Sequence, residues 1–335
     1  MKTLVYANEF GTALTQHLGC TLINNNSNGD GFVTKVTDIQ NVWDKIICEN
    51  TVAPETDATV YGYTKLSYRM NNDTEFAKVM LEGAGVKLAP EPDLGMGVGI
   101  LLWINEGSLL GKSLTMLDQY HLMNRDLGVS LPMPTGVVTL HCKDTEAAVT
   151  KLLPDVLRDH QDYSGFLSLS LRVTSREVYL ADVHFGAKAG WFETARELLQ
   201  GDLLTEGLVP SKNVAVGVLA SVAPYPYDLE TQDVELPKAA LAHMAPMNLQ
   251  KKSAKLTTEA TLGYVTAWGG GLDAEAATRS ARLRCYRTLR NVKAKNLQYR
   301  TDVGSQSGKV LEEIRHSLKQ QEPLQQDSQE KVCHE

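Results

Sequence analysis

The cleanest pattern in the chain is the period-2 run Gly165-Phe-Leu-Ser-Leu-Ser-Leu-Arg-Val173. It sets Leu167, Leu169, Leu171 and Val173 on one face and Ser168, Ser170 and Arg172 on the other. Strict alternation marks a strand whose two faces meet different surroundings. Residues 174–176 read as a turn and 177–183 as the returning strand, so a hairpin aims Ser168, Ser170, Asp182 and His184 at one space. Gly186 and Gly190 let the backbone reverse, and Trp191, Ala195, Leu198 and Leu199 follow at helical spacing up to Gly201. This unit is either the floor of a small-molecule site or a half-exposed hairpin with nothing bound.

On either side of it, strand and helix patterns alternate, which is the mark of an α/β fold. Residues 3–7 and 20–23 read as strands around a short helix at 12–18, and 24–31 as a polar loop. Ile39, Val42, Trp43, Ile46 and Ile47 mark one face of a helix, and 59–63 a third strand. Asn72 and Glu75 stand at capping-box spacing before the stripe Phe76, Val79 and Met80, which Gly83 or Gly85 ends. Strand pattern resumes at 98–104. Asp144 is placed to cap a helix that turns Val149, Leu152, Leu153, Val156 and Leu157 to the core. Beyond the hairpin come a buried strand at 214–221, the rigid turn Pro224-Tyr-Pro226, a strand at 263–268 and a helix opening at Asp273.

Two glycine patterns carry no chemistry. The opening strand–turn–helix has only Gly11, too few glycines for a dinucleotide turn. Gly107-Ser-Leu-Leu-Gly-Lys-Ser113 is one residue short of a phosphate loop and lacks its strand-to-helix setting.

With 335 residues, 43% of them hydrophobic, the chain can bury a core spanning two or three lobes. A net charge of −7 argues against a general nucleic-acid binder, though not against a local basic patch. Such a patch exists: eight basic residues and no acid lie between Arg279 and Arg300, with Cys285, Leu289 and Val292 on the apolar side. Arg279, Arg282, Arg287 and Arg290 therefore coat an outer helix face, as a solvated surface or as a phosphate contact. Cys20, Cys48, Cys142, Cys285 and Cys333 are scattered, with no CxxC pair, so neither a disulfide framework nor a zinc site is expected. No leader pattern opens the sequence and no apolar run approaches the ~18 residues of a membrane span, which points to a soluble, cytoplasmic protein. After Lys319 the Gln/Glu/Ser-rich end reads as a tail without order.

Several stretches, taken in order, resemble phosphoribosylamine–glycine ligase (glycinamide ribonucleotide synthetase), of the ATP-grasp superfamily. Trp103-Ile-Asn-Glu-Gly107, Leu122-Met-Asn-Arg-Asp-Leu-Gly128 and the strand 180–186 are similar to that family's segments. So are Gln200-Gly-Asp-Leu203, Gly217-Val-Leu-Ala-Ser221 with its Pro-Tyr-Pro turn, the 263–271 strand and turn, and Tyr299-Arg-Thr-Asp-Val-Gly304. The resemblance spans about residues 61–304. It implies an ATP-grasp-like core at 66–210, an N-terminal pre-ATP-grasp-like α/β lobe at 1–65 and a C-terminal α/β lobe at 211–304. The end at 305–335 would be a helix end and tail.

The departures fall where the ligase chemistry would be. The nucleotide lid belongs between the helix ending near Gly85 and the strand at 98, and there is no room for it, so the lid subdomain is expected to be missing. The metal-ligand positions of the family match Ser168, Ser170, Leu180 and Asp182, His184 stands in place of an arginine, and Ser130-Leu-Pro-Met-Pro134 replaces a glycine segment. Ordinary ATP-dependent ligation is therefore not expected, and neither is a cofactor or a metal. The resemblance implies Asn105, Asp126, Ser168, Ser170 and Arg300 as substrate-binding positions.

The function expected is a repurposed amino-acid transferase, of glycine type. It would act without ATP on a phosphorylated nucleotide or DNA base that is already activated. Asp182 and His184 are its candidate orienting group and base, two residues apart on one strand face; a structural hydrogen-bonded pair is the other reading of them. A non-catalytic binding or scaffold protein of the same fold, and a divergent ATP-dependent carboxylate–amine ligase, are the alternatives.

Overall fold

The computed structural model describes the backbone of residues 3–7, 21–24, 45–52, 59–252 and 255–332, and side chains over 59–249 and 255–321 together with Ile47. Four short strands, β1 (Thr3–Ala7), β2 (Thr21–Asn24), β3 (Lys45–Val52) and β4 (Thr59–Tyr63), form a parallel sheet in the order β2-β1-β3-β4. The helix expected around Ile46 and Ile47 is instead strand β3, wedged between β1 and β4. Stiff β-branched isoleucines suit that sandwiched position better than a helix. The expected helix at 12–18 and residues 39–44 lie outside the described residues.

Two helices follow, α1 (Lys65–Asn72) and α2 (Thr74–Gly83). The expected cap is shifted by one residue. Asn72 closes α1, and the Asp73 side chain accepts the Phe76 N–H at 3.0 Å to start α2. The buried stripe shifts with it to Ala77 and Leu81, leaving Val79 67% exposed. Residues 84–95 lead directly into β5 (Met96–Asn105). On the way they pair with the hairpin: the Ala89 N–H donates to Leu180 O and the Leu180 N–H to Lys87 O, each at 2.9 Å.

The next elements are β6 (Ser108–Leu109), β7 (Leu114–Gln119), β8 (His121–Met123), β9 (Leu127–Ser130), β10 (Gly136–Leu140), α3 (Lys143–Val156), β11 (Gly165–Val173) and β12 (Val178–Phe185). Then come α4 (Trp191–Ala195), α5 (Leu203–Glu206), β13 (Val214–Val222), β14 (Gln232–Glu235), α6 (Lys238–Leu241), β15 (Met244–Pro246), β16 (Gln250–Lys252) and β17 (Lys255–Thr258). β18 (Thr261–Gly269), α7 (Ala274–Leu289), β19 (Lys293–Ala294), β20 (Leu297–Gln298) and α8 (Ser307–Val332) close the chain. The stretch after Lys319, expected to lack order, thus continues α8 to Val332. Its Gln, Glu and Lys are straight-chain residues that lose little freedom in a helix.

The centre is an antiparallel sheet in the order β12-β11-β5-β7-β10-β13-β18-β15, with β6 and β20 attached. β5 and β11 are neighbours along their whole length, from Gly165 opposite Ile104 to Val173 opposite Met96. Both faces of the sheet are covered. Ile100, Leu102, Leu167, Leu169 and Phe185 pack with α1, α2, α3 and α8. Val216, Val218 and Val265 continue that face under α7. On the other face, Leu101, Trp103, Met116 and Ala215 meet the chain from Ala187 to Leu208. That second covering segment carries the candidate chemistry.

Candidate functional site

The β11–β12 register sets Ser168 opposite His184 and Ser170 opposite Asp182, with an irregularity just after Ser170. Directly opposed residues share a face, so the hairpin brings these four together as the alternation predicts. Ser168 is fully buried, Ser170 and His184 are half-buried, and the Asp182 carboxylate is 56% exposed at the sheet edge.

The segment leaving β12 then folds back over them. The Ser168 hydroxyl donates to Gly186 O at 2.8 Å and accepts the Lys188 N–H at 3.2 Å, which pins the loop to the strand. The Lys188 side chain consequently curls onto the hairpin. Its Nζ donates to Ser170 Oγ at 2.9 Å and to Asp182 Oδ2 at 2.6 Å. Asp182 is thus paired with an ammonium, not with the imidazole whose tautomer it was expected to set; Lys188 reaches it because the loop is tied at Ser168.

Behind Lys188 lies a carboxylate that no sequence pattern singles out. Asp118 Oδ2 accepts from Tyr120 OH at 2.8 Å and from Trp191 Nε1 at 3.2 Å. The Trp191 ring sits against Gly99, where a Cβ would fall 2.5 Å from it, and its centroid is 5.5 Å from Lys188 Nζ. Burial pushes the Asp118 carboxyl above its ordinary range, against the pull of Tyr120, Lys188 and Trp191. Burial, reinforced by the Lys188 charge and opposed by Asp182, brings the His184 imidazole down to about 4. It is therefore neutral at physiological pH, with the Tyr63 ring edge-on at 6.5 Å. One step further along the covering segment, the buried Glu193 carboxyl is raised by desolvation to about 7.

The other candidates lie in different places. Arg300 and Asp126 meet at 2.6 Å in a second cluster, made by the β8–β9 hairpin and the segment after β20. The guanidinium has no exposed surface and also donates to both oxygens of Asp302 at 2.9 Å and to His121 O at 3.1 Å. Burial works against ionising Asp302, and the Arg300 hydrogen bonds override it, holding the carboxyl below its ordinary range. Asn105 ends β5 opposite Ser108, past the Leu101 position that faces Ser168. Arg279, Arg282 and Arg287 ride on α7 and Arg290 caps its C-terminal end; the helix packs beneath β13 and β18 on the opposite face. Five strand steps separate β13 from β12, roughly 24 Å at ~4.8 Å per strand.

Lys188 and Asp118 left only faint traces in the sequence. One is the lone cation between Gly186 and Gly190; the other is the lone acid in an apolar strand run. Two grooves lie elsewhere among the described residues. One, of about 940 Å³, is lined by Lys143, Lys151, Arg176 and Lys319 among others; the second, of about 500 Å³, is lined by Arg196, Lys212 and Trp268.

The chain matches no protein-family model and no curated protein sequence. Among solved structures it is similar to a phosphoribosylamine–glycine ligase from Thermotoga maritima, with a TM-score of 0.72 at 15% identity, covering 90% of this chain and 100% of that one. The biotin carboxylase subunit of pyruvate carboxylase gives 0.55 at 8% identity, covering 92% and 98% of the two chains. An N5-carboxyaminoimidazole ribonucleotide synthetase from Thermotoga maritima gives 0.51 at 10%, covering 88% and 100%. The fold is ATP-grasp-like. At these identities the likeness extends to the fold alone.

ATP-grasp chemistry implies Mg²⁺ with its nucleotide, and the residues here do not fit that ion. A hard cation of this size needs several oxygen ligands, carboxylates above all. Of the four positions named by resemblance, Leu180 is apolar, Ser168 is committed to Gly186 O, and Ser170 and Asp182 already hold Lys188 Nζ. Among the described residues no group of three or more His, Cys, Asp or Glu side chains is placed to hold a metal.

Proposed function

We propose that this divergent ATP-grasp-like protein transfers a glycine-type amino acid, through its amino nitrogen and without ATP, to a nucleotide or DNA base that arrives already carrying a phosphate-type leaving group. The amine nitrogen forms the new C–N bond as the C–O bond to the leaving group breaks, and the departing phosphate keeps that electron pair. Neutral His184 takes the proton that nitrogen sheds; with its conjugate acid near 4, it does so only once bond formation has acidified the N–H. Arg279, Arg282, Arg287 and Arg290 offer a separate contact for a phosphodiester backbone, on the far side of the sheet.

The observation that carries this reading is the course of residues 84–95. Lys87 and Ala89 hydrogen-bond to Leu180 and the chain runs on into β5. This supports reading 84–95 as a stretch without a nucleotide lid, with the activation supplied by an earlier step. Incubating the pure protein with glycine and pyrophosphate-bearing nucleotides, and following release of pyrophosphate, tests it. Glycine-dependent ADP release from ATP–Mg²⁺ would overturn it in favour of a divergent ligase. The packing of Trp191 onto the same face favours a second reading, a binding protein without turnover; ligand binding with no pyrophosphate release identifies that case.

A further inference from the structure

We propose that Lys188 is the resident cation of this face: its ammonium stands between Ser170 and Asp182, where a divalent ion would have to sit, and holds an anionic phosphate-type group of the ligand directly. The inference deepens the reading above, since it concerns the same site.

Three observations place the ammonium there. The loop is fixed at its base, because Ser168 accepts the Lys188 N–H while donating to Gly186 O. The head is fixed at its tip by Ser170 and Asp182, at 2.9 and 2.6 Å. Trp191 flanks it, locked in turn by its own N–H on Asp118. An ammonium has three donors. Two are used here, and the side chain keeps 20% of its surface open beside the exposed Asp182, so the third can reach a ligand oxygen.

A hydrogen-bonded ammonium is a phosphate-binding group in its own right, acting as a point charge. It also explains the site's composition. Two serines and one aspartate are too few hard ligands for Mg²⁺, whereas Ser170 and Asp182 take two of the three ammonium donors and leave the third for a ligand.

The test uses inorganic pyrophosphate and MnCl₂ as probes on the full chain. Wild type should bind pyrophosphate equally well with and without EDTA, and should show no Mn²⁺ site by electron paramagnetic resonance up to about 1 mM. Lys188→Met should weaken pyrophosphate binding at least about tenfold, with Lys188→Arg closer to wild type. One equivalent of bound Mn²⁺ in wild type, lost in Asp182→Asn, would overturn the inference without requiring Lys188→Met to fold. So would unchanged pyrophosphate binding in Lys188→Met, or no binding by wild type. If the pyrophosphate arm holds but no amine is ever transferred, the functional proposal fails and the role of Lys188 stands.

Discussion

His184 and Glu193 are buried titratable groups that pull the pH dependence of stability in opposite directions. His184 has a folded value near 4 against an ordinary 6.5. Its contribution is therefore complete above pH 6.5 and is lost as pH falls toward 4. Glu193 is raised to about 7 from 4.5, so its contribution is complete below pH 4.5 and is lost as pH rises to 7. Glu193→Gln keeps the shape without the charge. Its stability relative to wild type should climb by up to about 3 kcal/mol between pH 4.5 and 7 and then level off, read from urea unfolding at each pH. A pH-independent difference would mean that Glu193 is not buried in its neutral form. Asp118 is a sharper case, because two buried donors depend on one oxygen. Asp118→Ala should cost about 2–4 kcal/mol by leaving the Trp191 N–H and Tyr120 OH unpaired, and Asp118→Asn distinctly less. Equal denaturation midpoints for the two variants would count against that account.

Between elements, the covering segment is seated by glycines that leave room for it. Gly99 on β5 leaves space for the Trp191 ring, and Gly190, at φ 79, lies where a Cβ would strike the Tyr264 ring at 2.5 Å. Gly99→Ala should lower stability by about 1–3 kcal/mol through overpacking and should loosen Lys188, since Trp191 flanks it. Thermal unfolding combined with pyrophosphate binding reads both effects; a variant as stable as wild type would show that the segment is not pressed onto the sheet. The β11 alternation was legible at this scale because each of its faces is chemically uniform. β3 was not, since an Ile-Ile pair fits either period until its parallel neighbours are known.

Across the whole molecule, the arginine face of α7 and the Lys188 face lie on opposite sides of one sheet. Their functions should separate. Replacing Arg279, Arg287 and Arg290 together by Glu should weaken binding of a single-stranded oligonucleotide and flatten its salt dependence, by about 0.7 in slope for each phosphate no longer neutralised. Pyrophosphate binding at Lys188 should not change. If the triple variant binds the oligonucleotide as wild type does, the arginines are a solvated surface.

The strands β5, β13 and β18, the helices α3 and α7, the β11–β12 hairpin and the shared face of Ser168, Ser170, Asp182 and His184 were determined by the sequence alone. Each follows from periodicity, which is a local property of the chain. The pairing of Arg300 with Asp126 could not be read this way, because its partners are 174 residues apart in the chain. Nor could the partner of Asp182. Residue spacing suggested His184, but a loop tied at Ser168 delivered Lys188 instead. Asp118 shows the same limit: a lone acid in a strand has no evident role until Trp191, 73 residues on, reaches it. Which charges face one another is settled by long-range packing, since side-chain reach exceeds the spacing of strands and sequence separation says nothing about it.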